Sequence, residues 1–243
     1  MKGLLKRIRE FFVNTLFNPK WKCIACEKEI FDQGYLCDDC KKSMPYSGGV
    51  ICDHCGRQLK APQKYCTTCK NRLVSTEKAR SVYVYKKPVD TLIQKLKYGN
   101  GRYLVEPLAE ELSLLYFKSY FNADYLTFVP MHVKAQAKRG YNQSKLLADA
   151  LSEKIGVQVV QCLEKTKETK RQATLTREQR RKNLIDSFKI IDRKTLKDKT
   201  VVIIDDVSTT GSTAEVVAEK LKKAGAKVVY LLTIASVPPK NGY

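Results

Sequence analysis

The sequence predicts an α/β chain: a mostly parallel sheet flanked by helices, preceded by a small cysteine-rich module. Three observations predict it. Val201-Val202-Ile203-Ile204 is a β-branched run, the composition of a strand buried on both faces of a parallel sheet. The order strand, loop, helix occurs at Tyr125 and again at Val201, which favours parallel strands with helices on both faces. Four C-x-x-C pairs crowd into the segment between Cys23 and Cys69.

The 243 residues suffice for one α/β domain and a small accessory module. The spacing divides the chain into residues 1–20, 21–75 and 76–243. Lys plus Arg number 45 against 25 Asp plus Glu, a net charge of +20. That excess suits polyanions: nucleic acid, anionic lipid or phosphorylated small molecules. No apolar run reaches transmembrane length, and no cleavage site follows an apolar N-terminal core. The expected location is cytoplasmic.

In residues 1–20, Leu4, Leu5, Ile8, Phe11, Phe12 and Leu16 recur at helical spacing, with Lys2, Lys6, Arg7 and Arg9 mainly opposite. Such a basic amphipathic helix could lie on the inner face of an anionic membrane. Packing on its own protein is the reading favoured here. Pro19 marks its end.

The cysteines form an internal repeat. Cys23, Cys26, Cys37 and Cys40 recur 29 residues later (52 − 23) as Cys52, Cys55, Cys66 and Cys69. Two C-x-x-C knuckles complete a tetrahedral site of four thiolates, and a cytosolic chain with this spacing binds zinc rather than forming disulfides. Two structural zinc ions are expected, paired as the repeat dictates, with a crossed pairing also open. A redox C-x-x-C is the weaker rival. Gly34 and Gly56 fit tight ribbon turns, His54 reads as a bystander to a filled shell, and Cys162 as ordinary packing. The module is basic, which leans toward nucleic acid.

From Glu77 onward, Ser81–Tyr85 alternates as a strand, and Val89–Lys97 and Leu104–Phe117 are helical. Tyr125–Pro130 is a buried strand, and Met131 to Lys134 the loop beyond it. Lys138–Ser144 leads into a helix of Leu146, Leu147, Ala150, Leu151 and Ile155, closed by Gly156, and a short strand Val157–Val160 follows. Glu164–Thr200 is a long basic stretch, a candidate loop to close over a polyphosphate; a solvated surface segment is the even rival.

The stretch Val201–Thr213 carries the chemistry. Asp205 and Asp206 sit at the carboxyl end of a strand, where open α/β sheets bind ligands. Ser208, Thr209, Thr210, Gly211, Ser212 and Thr213 then lead into a helix of about Ala214 to Ala224, capped by Gly225. N–H groups at such a turn attract phosphate. Adjacent carboxylates suit ribose hydroxyls and Mg²⁺. Together they describe a pocket for a ribose 5-phosphate.

This stretch resembles the PRPP-binding motif of type I phosphoribosyltransferases, two acids followed by T-T-G-x-T. The chain from Trp21 to Ser236 resembles the ComF family, phosphoribosyltransferase-like proteins linked to natural competence. The markers are the double zinc ribbon, Leu96-Lys97-Tyr98, Val129-Pro130 with His132, and Arg139-Gly140-Tyr141-Asn142-Gln143. Gln172, Leu175, Arg180, Asn183 and Phe188 of the basic stretch and the Asp205–Thr213 motif complete them. The resemblance implies a type I phosphoribosyltransferase-like fold. It implies catalytic Asp205 and Asp206 holding the ribose of PRPP, with Thr209, Thr210, Gly211, Ser212 and Thr213 around its 5-phosphate. Met131, His132 and Lys134 would lie near the pyrophosphate, with Arg139 a further contact.

Three functions compete at this point. One is a Mg²⁺-dependent phosphoribosyltransferase serving DNA uptake, the reading adopted. The second is a module that binds single-stranded DNA beside a competence DNA translocase or helicase, with Trp21, Tyr35, Tyr46 and Tyr65 among its cations. The third is a PRPP sensor without catalysis.

Overall fold

Four parallel strands carry the larger part of the chain. The computed structural model describes residues 22–30, 34–59, 61–70, 74–98, 101–168 and 183–238. The amphipathic segment 1–20, Trp21 and residues 169–182 of the basic stretch lie outside them. In chain order the elements are α1 (Asp38–Ser43), α2 (Thr67–Lys70), β1 (Lys78–Val84), α3 (Val89–Tyr98) and α4 (Val105–Lys118). Next come β2 (Tyr125–Phe128), α5 (Val133–Arg139), α6 (Gln143–Ile155), β3 (Leu163–Lys165) and β4 (Phe188–Ile190). Last come β5 (Thr200–Ser208), α7 (Ser212–Lys223) and β6 (Val228–Ser236).

The sheet order is β1-β6-β5-β2, all parallel. Val159 pairs with Leu126 outside β2, so the expected strand at Val157–Val160 is a single bridge extending the sheet by one edge. β5 is central, and its side chains alternate between two cores. Val202 and Ile204 face α3, α4 and α6; Val201 and Ile203 face α7, Phe188 and Leu196. All four are fully buried, as a β-branched run between two helical layers must be. Cys162 is buried at Thr127, its Sγ 3.4 Å from the hydroxyl, a packing residue as expected.

Two further expectations differ from the structure. The described part of residues 164–200 is not all loop: β3 and β4 pair antiparallel, anchored by buried Leu163 and Phe188. The few apolar residues that tie them down were masked by the surrounding charge. The loop read at Met131–Lys134 also ends early, because Val133 begins α5.

The cysteine module repeats in space as it does in sequence. The bridge Lys22–Glu29 recurs as Ile51–Gln58, and α1 recurs as α2. Segment 45–47 lies antiparallel along β1, with Ser47 N donating to Val82 O and Val84 N to Pro45 O. The module thereby covers the outer edge of the sheet, whose unpaired N–H and C=O groups would otherwise be exposed.

Candidate functional site

The two carboxylates stand at the carboxyl end of β5 and are held differently. Asp205 Oδ1 accepts from Ser144 Oγ at 2.8 Å and from the Asp206 amide at 2.9 Å. Asp206 is buried, and Lys97 Nζ from the end of α3 lies 2.7 Å from its Oδ2 as an ion pair, without the alignment of a hydrogen bond. Burial, and then the negative charge of Asp206 beside it, push the Asp205 carboxyl well above the usual range.

Ser144 is placed by its own helix start. Asn142 caps α6, its Oδ1 accepting from Ser144 N at 3.0 Å and Lys145 N at 3.4 Å. Its Nδ2 donates to Val129 O at 3.0 Å, tying α6 to the end of β2. Gly140, at φ 85°, ends α5 in the left-handed conformation and lets the chain turn back. The Tyr141 hydroxyl reaches Leu96 O, bringing the end of α3 and so Lys97 alongside. The stretch Arg139–Ser144 is thus a joint that assembles the acidic site from three helices.

The hydroxyl-rich turn opens α7. Gly211, at φ 75°, adopts a conformation that side chains resist, and it offers no side-chain cap to the helix. Ser212 N makes a long bond of 3.4 Å to Thr210 Oγ1, and the first-turn N–H groups after it face the turn's mouth for an anion. Thr210 Oγ1 and Ser212 Oγ lie 2.8 Å apart across the turn. The helix begins at Ser212, two residues before the sequence placed it. Gly225, read as its cap, lies one residue past the cap Ala224, at φ 110°.

Of the residues expected near a pyrophosphate, His132 sits at the start of α5 and its backbone bridges to Lys165 of β3. Its Nδ1 is buried without a hydrogen-bond partner among the described residues. Lys134 is exposed on α5. Arg139 is engaged elsewhere: its guanidinium bonds Gln143 and lies 5.0 Å over the Tyr98 ring. Two cations from the Leu96-Lys97-Tyr98 motif and the basic stretch are placed near the acids instead. One is Lys97. The other is Lys165, whose ammonium is pushed down by burial while the charge of Asp205 opposes that fall. Lys97 lay in a quoted motif, but only the packing of α3 shows that it faces Asp206.

The cysteines assemble as the repeat predicts. Sγ atoms of Cys23, Cys26, Cys37 and Cys40 lie within 4.8 Å of one another, as do those of Cys52, Cys55, Cys66 and Cys69. The crossed pairing is excluded by this grouping. In the second set burial would raise Cys52, but amide donors from Cys55, Cys66 and His54 bring it down to about 7. Burial pushes Cys55 up to about 12, followed by the charges of Cys52 and Cys66. Four thiolates this close need a cation, and the donor set fits tetrahedral zinc.

His54 stays outside the four-cysteine group, as expected, and is engaged on its other side. Its Nε2 lies 3.2 Å from Thr76 Oγ1 and 3.9 Å from Glu215 Oε1 in the first turn of α7. Tyr46 is a docking residue: its ring lies 4.9 Å from that of Tyr83, and its hydroxyl donates to Glu111 at 3.1 Å. Tyr35 packs against the main core. Neither is a free stacking platform for bases.

Comparison with known proteins matches two family models: a double zinc ribbon domain at residues 12–70 and a phosphoribosyl transferase domain at residues 124–241. The chain is 28% identical to competence protein F of Haemophilus influenzae over 226 residues, 88% of this chain and 96% of that one. It is 26% identical to DNA utilization protein YhgH of Escherichia coli K12 over 80% of this chain and 87% of that protein. It is 27% identical to competence protein ComFC of Streptococcus pneumoniae, covering 82% and 86%. Among solved structures, glutamine phosphoribosylpyrophosphate amidotransferase of B. subtilis aligns at 20% identity and TM-score 0.42, over 58% of this chain and 30% of that one. A hypoxanthine phosphoribosyltransferase of Staphylococcus aureus aligns at 16% and TM-score 0.36, over 54% and 62%.

Proposed function

We propose, for a chain that belongs to the ComF family, that the end of β5 and the start of α7 bind PRPP. The observation that carries this reading is the pairing of two adjacent carboxylates with an uncapped helix start opened by a left-handed Gly211. Asp205 and Asp206 hold the ribose hydroxyls, and Thr209–Thr213 take the 5-phosphate. Met131, His132 and Lys134 lie on the pyrophosphate side, where Lys165 adds a cation; Arg139 steadies the joint beside them.

The acidic pair also suits Mg²⁺, since two carboxylates with one lysine paired to Asp206 leave oxygen donors for a hard cation. Bound there, Mg²⁺ would neutralise the pyrophosphate of PRPP. Lys97 and Lys165 stabilise the charge that develops as pyrophosphate leaves C1 of the ribose. This phosphoribosyltransferase works in the cytoplasm in natural competence, a role that the relatives named for competence and DNA utilization support. The net charge of +20 supports contact with single-stranded DNA beside a competence translocase.

Calorimetric titration of PRPP with and without Mg²⁺ tests the site. Micromolar binding, on the order of −8 kcal/mol, that needs Mg²⁺ and is lost in Asp205→Asn/Asp206→Asn supports it. Equal binding by both proteins, or none by the wild type, rejects it.

A further inference from the structure

The second cysteine site and the hydroxyl-rich turn share a wall. Cys55, Cys66 and Cys69 line the same small cavity as Thr210, Gly211 and Glu215. Two sets of bonds cross it. Arg57, two residues past Cys55, donates from its guanidinium to the carbonyl oxygen of Thr209. Glu215, in the first turn of α7, accepts from the Thr76 hydroxyl at 2.6 Å and from Ser75 N at 2.7 Å, with His54 at 3.9 Å. Burial alone would raise the Glu215 carboxyl; the donors His54, Thr76 and Ser75 outweigh it and hold it below the ordinary range.

The knuckle that carries Arg57 and His54 is itself seated on the sheet. Ala79 N donates to His54 O at 2.6 Å, and Arg80 Nη1 to Asp53 O at 3.0 Å. A Cβ at Gly56 would lie 2.5 Å from Ala79 O, so only glycine lets the knuckle approach β1 this closely. Inside the knuckle, Cys66 N donates to Cys52 Sγ at 3.3 Å, a bond that strengthens when the sulfur is a metal thiolate. The first ribbon is fastened differently. Its bonds run to α3 through Glu27 and Lys95, to α4 through Tyr46 and Glu111, and to β1 through Ser47 and Val82.

An anion-binding turn needs its N–H groups turned inward and its carbonyls turned away. Arg57 engages the Thr209 carbonyl from outside, and the Glu215 network fixes the first turn of the helix that follows. Arg57 and His54 both stand on a knuckle whose four sulfurs a bound ion would hold together.

We propose that Arg57 and His54 are positioning residues of the phosphate turn, so that metal loading at Cys52, Cys55, Cys66 and Cys69 sets the affinity of that turn for a ribose 5-phosphate. Loading at the first site governs only the first ribbon. The inference rests on the reading of Thr209–Thr213 as a 5-phosphate site and adds a control to it.

The test uses the full chain loaded with zinc, titrated with ribose 5-phosphate by calorimetry, with amide hydrogen exchange across residues 208–213. Arg57→Ala should keep both metals, weaken binding about tenfold and speed exchange in the turn. Arg57→Lys, which keeps one donor, should recover part of both. Cys66→Ser, which empties the second site, should weaken binding at least as much, and Cys26→Ser should leave it within about twofold. Wild-type affinity and exchange in both Arg57→Ala and Cys66→Ser would overturn the coupling and leave the phosphate reading standing. So would equal losses from Cys26→Ser and Cys66→Ser, or weaker binding by Arg57→Ala with unchanged exchange. Absence of binding by the wild type would overturn both readings.

Discussion

The ammonium of Lys97 stands 2.7 Å from Oδ2 of Asp206, the more buried of the two partners. The pair joins α3 to the end of the central strand. It gives one of two adjacent acids a counter-charge within the protein itself. Lys97→Met should therefore destabilise the protein without ligand by about 2–3 kcal/mol. In the double variant Lys97→Met/Asp206→Asn most of that loss should disappear, because no unpaired charge remains. Urea unfolding of the four proteins in the cycle measures it, and additive losses would show that the pair is not coupled.

Asp205 supplies a pH dependence of the opposite sign to a salt-bridged carboxylate. Its pKa in the folded protein lies above that in the unfolded chain, through burial and then the neighbouring Asp206. Between the two values the folded state binds the proton more tightly. Stability from this group is complete at low pH and falls as pH rises from about 4, the ordinary value for aspartate. Asp205→Asn should then stabilise the protein without ligand at neutral pH by about 1 kcal/mol or more, while abolishing Mg²⁺-dependent PRPP binding. Thermal melts of both proteins at pH 5 and pH 8 would show the gap widening with pH; a constant gap contradicts the assignment.

Gly56 tests the seating of the second ribbon. Its φ of 67° and the 2.5 Å approach of a new Cβ to Ala79 O both oppose any side chain. Gly56→Ala should cost about 2 kcal/mol or more. Gly140 has equally left-handed backbone, but nothing lies within 4 Å of its Cβ position. Gly140→Ala should cost only the backbone strain, about 1 kcal/mol. Equal losses in chemical denaturation would mean that the knuckle does not press on β1.

Metal content tests the pairing. The wild type should carry two zinc ions per chain by elemental analysis, one for each cysteine group. Cys26→Ser should lose the ion of the first group and keep that of the second, and Cys66→Ser should do the reverse. Chelation should melt the ribbons before the α/β sheet, because so small a module has little apolar core of its own. Loss of both ions from either single variant would show that the sites are interdependent.

Much of this architecture was legible in the residues. The run Val201–Ile204 reads as a central strand because four consecutive β-branched side chains are tolerable only between two apolar layers. The repeat of four cysteines fixes two metal sites because ligand spacing is local chemistry, and the observed grouping follows it. Asp205, Asp206 and the Gly211 turn are contiguous, so sequence alone puts them side by side. The pairing of β3 with β4 was hidden because its few buried residues sit among charges, and periodicity over three-residue strands carries little signal.

What only the tertiary structure decides is which distant groups meet that contiguous motif. Lys97 lies 109 positions from Asp206 (206 − 97), Ser144 lies 61 from Asp205, and Arg57 lies 152 from Thr209. Each is brought in by a different element: the end of α3, the cap of α6 and a zinc knuckle. No local propensity encodes such approaches. They follow from how helices pack on the two faces of the sheet and how the ribbon closes its edge. The sequence by itself determined the strand, the turn and the metal ligands, because neighbours in the chain must be neighbours in space. The fold decided the counter-charges and supports, because those depend on packing that only the whole chain completes.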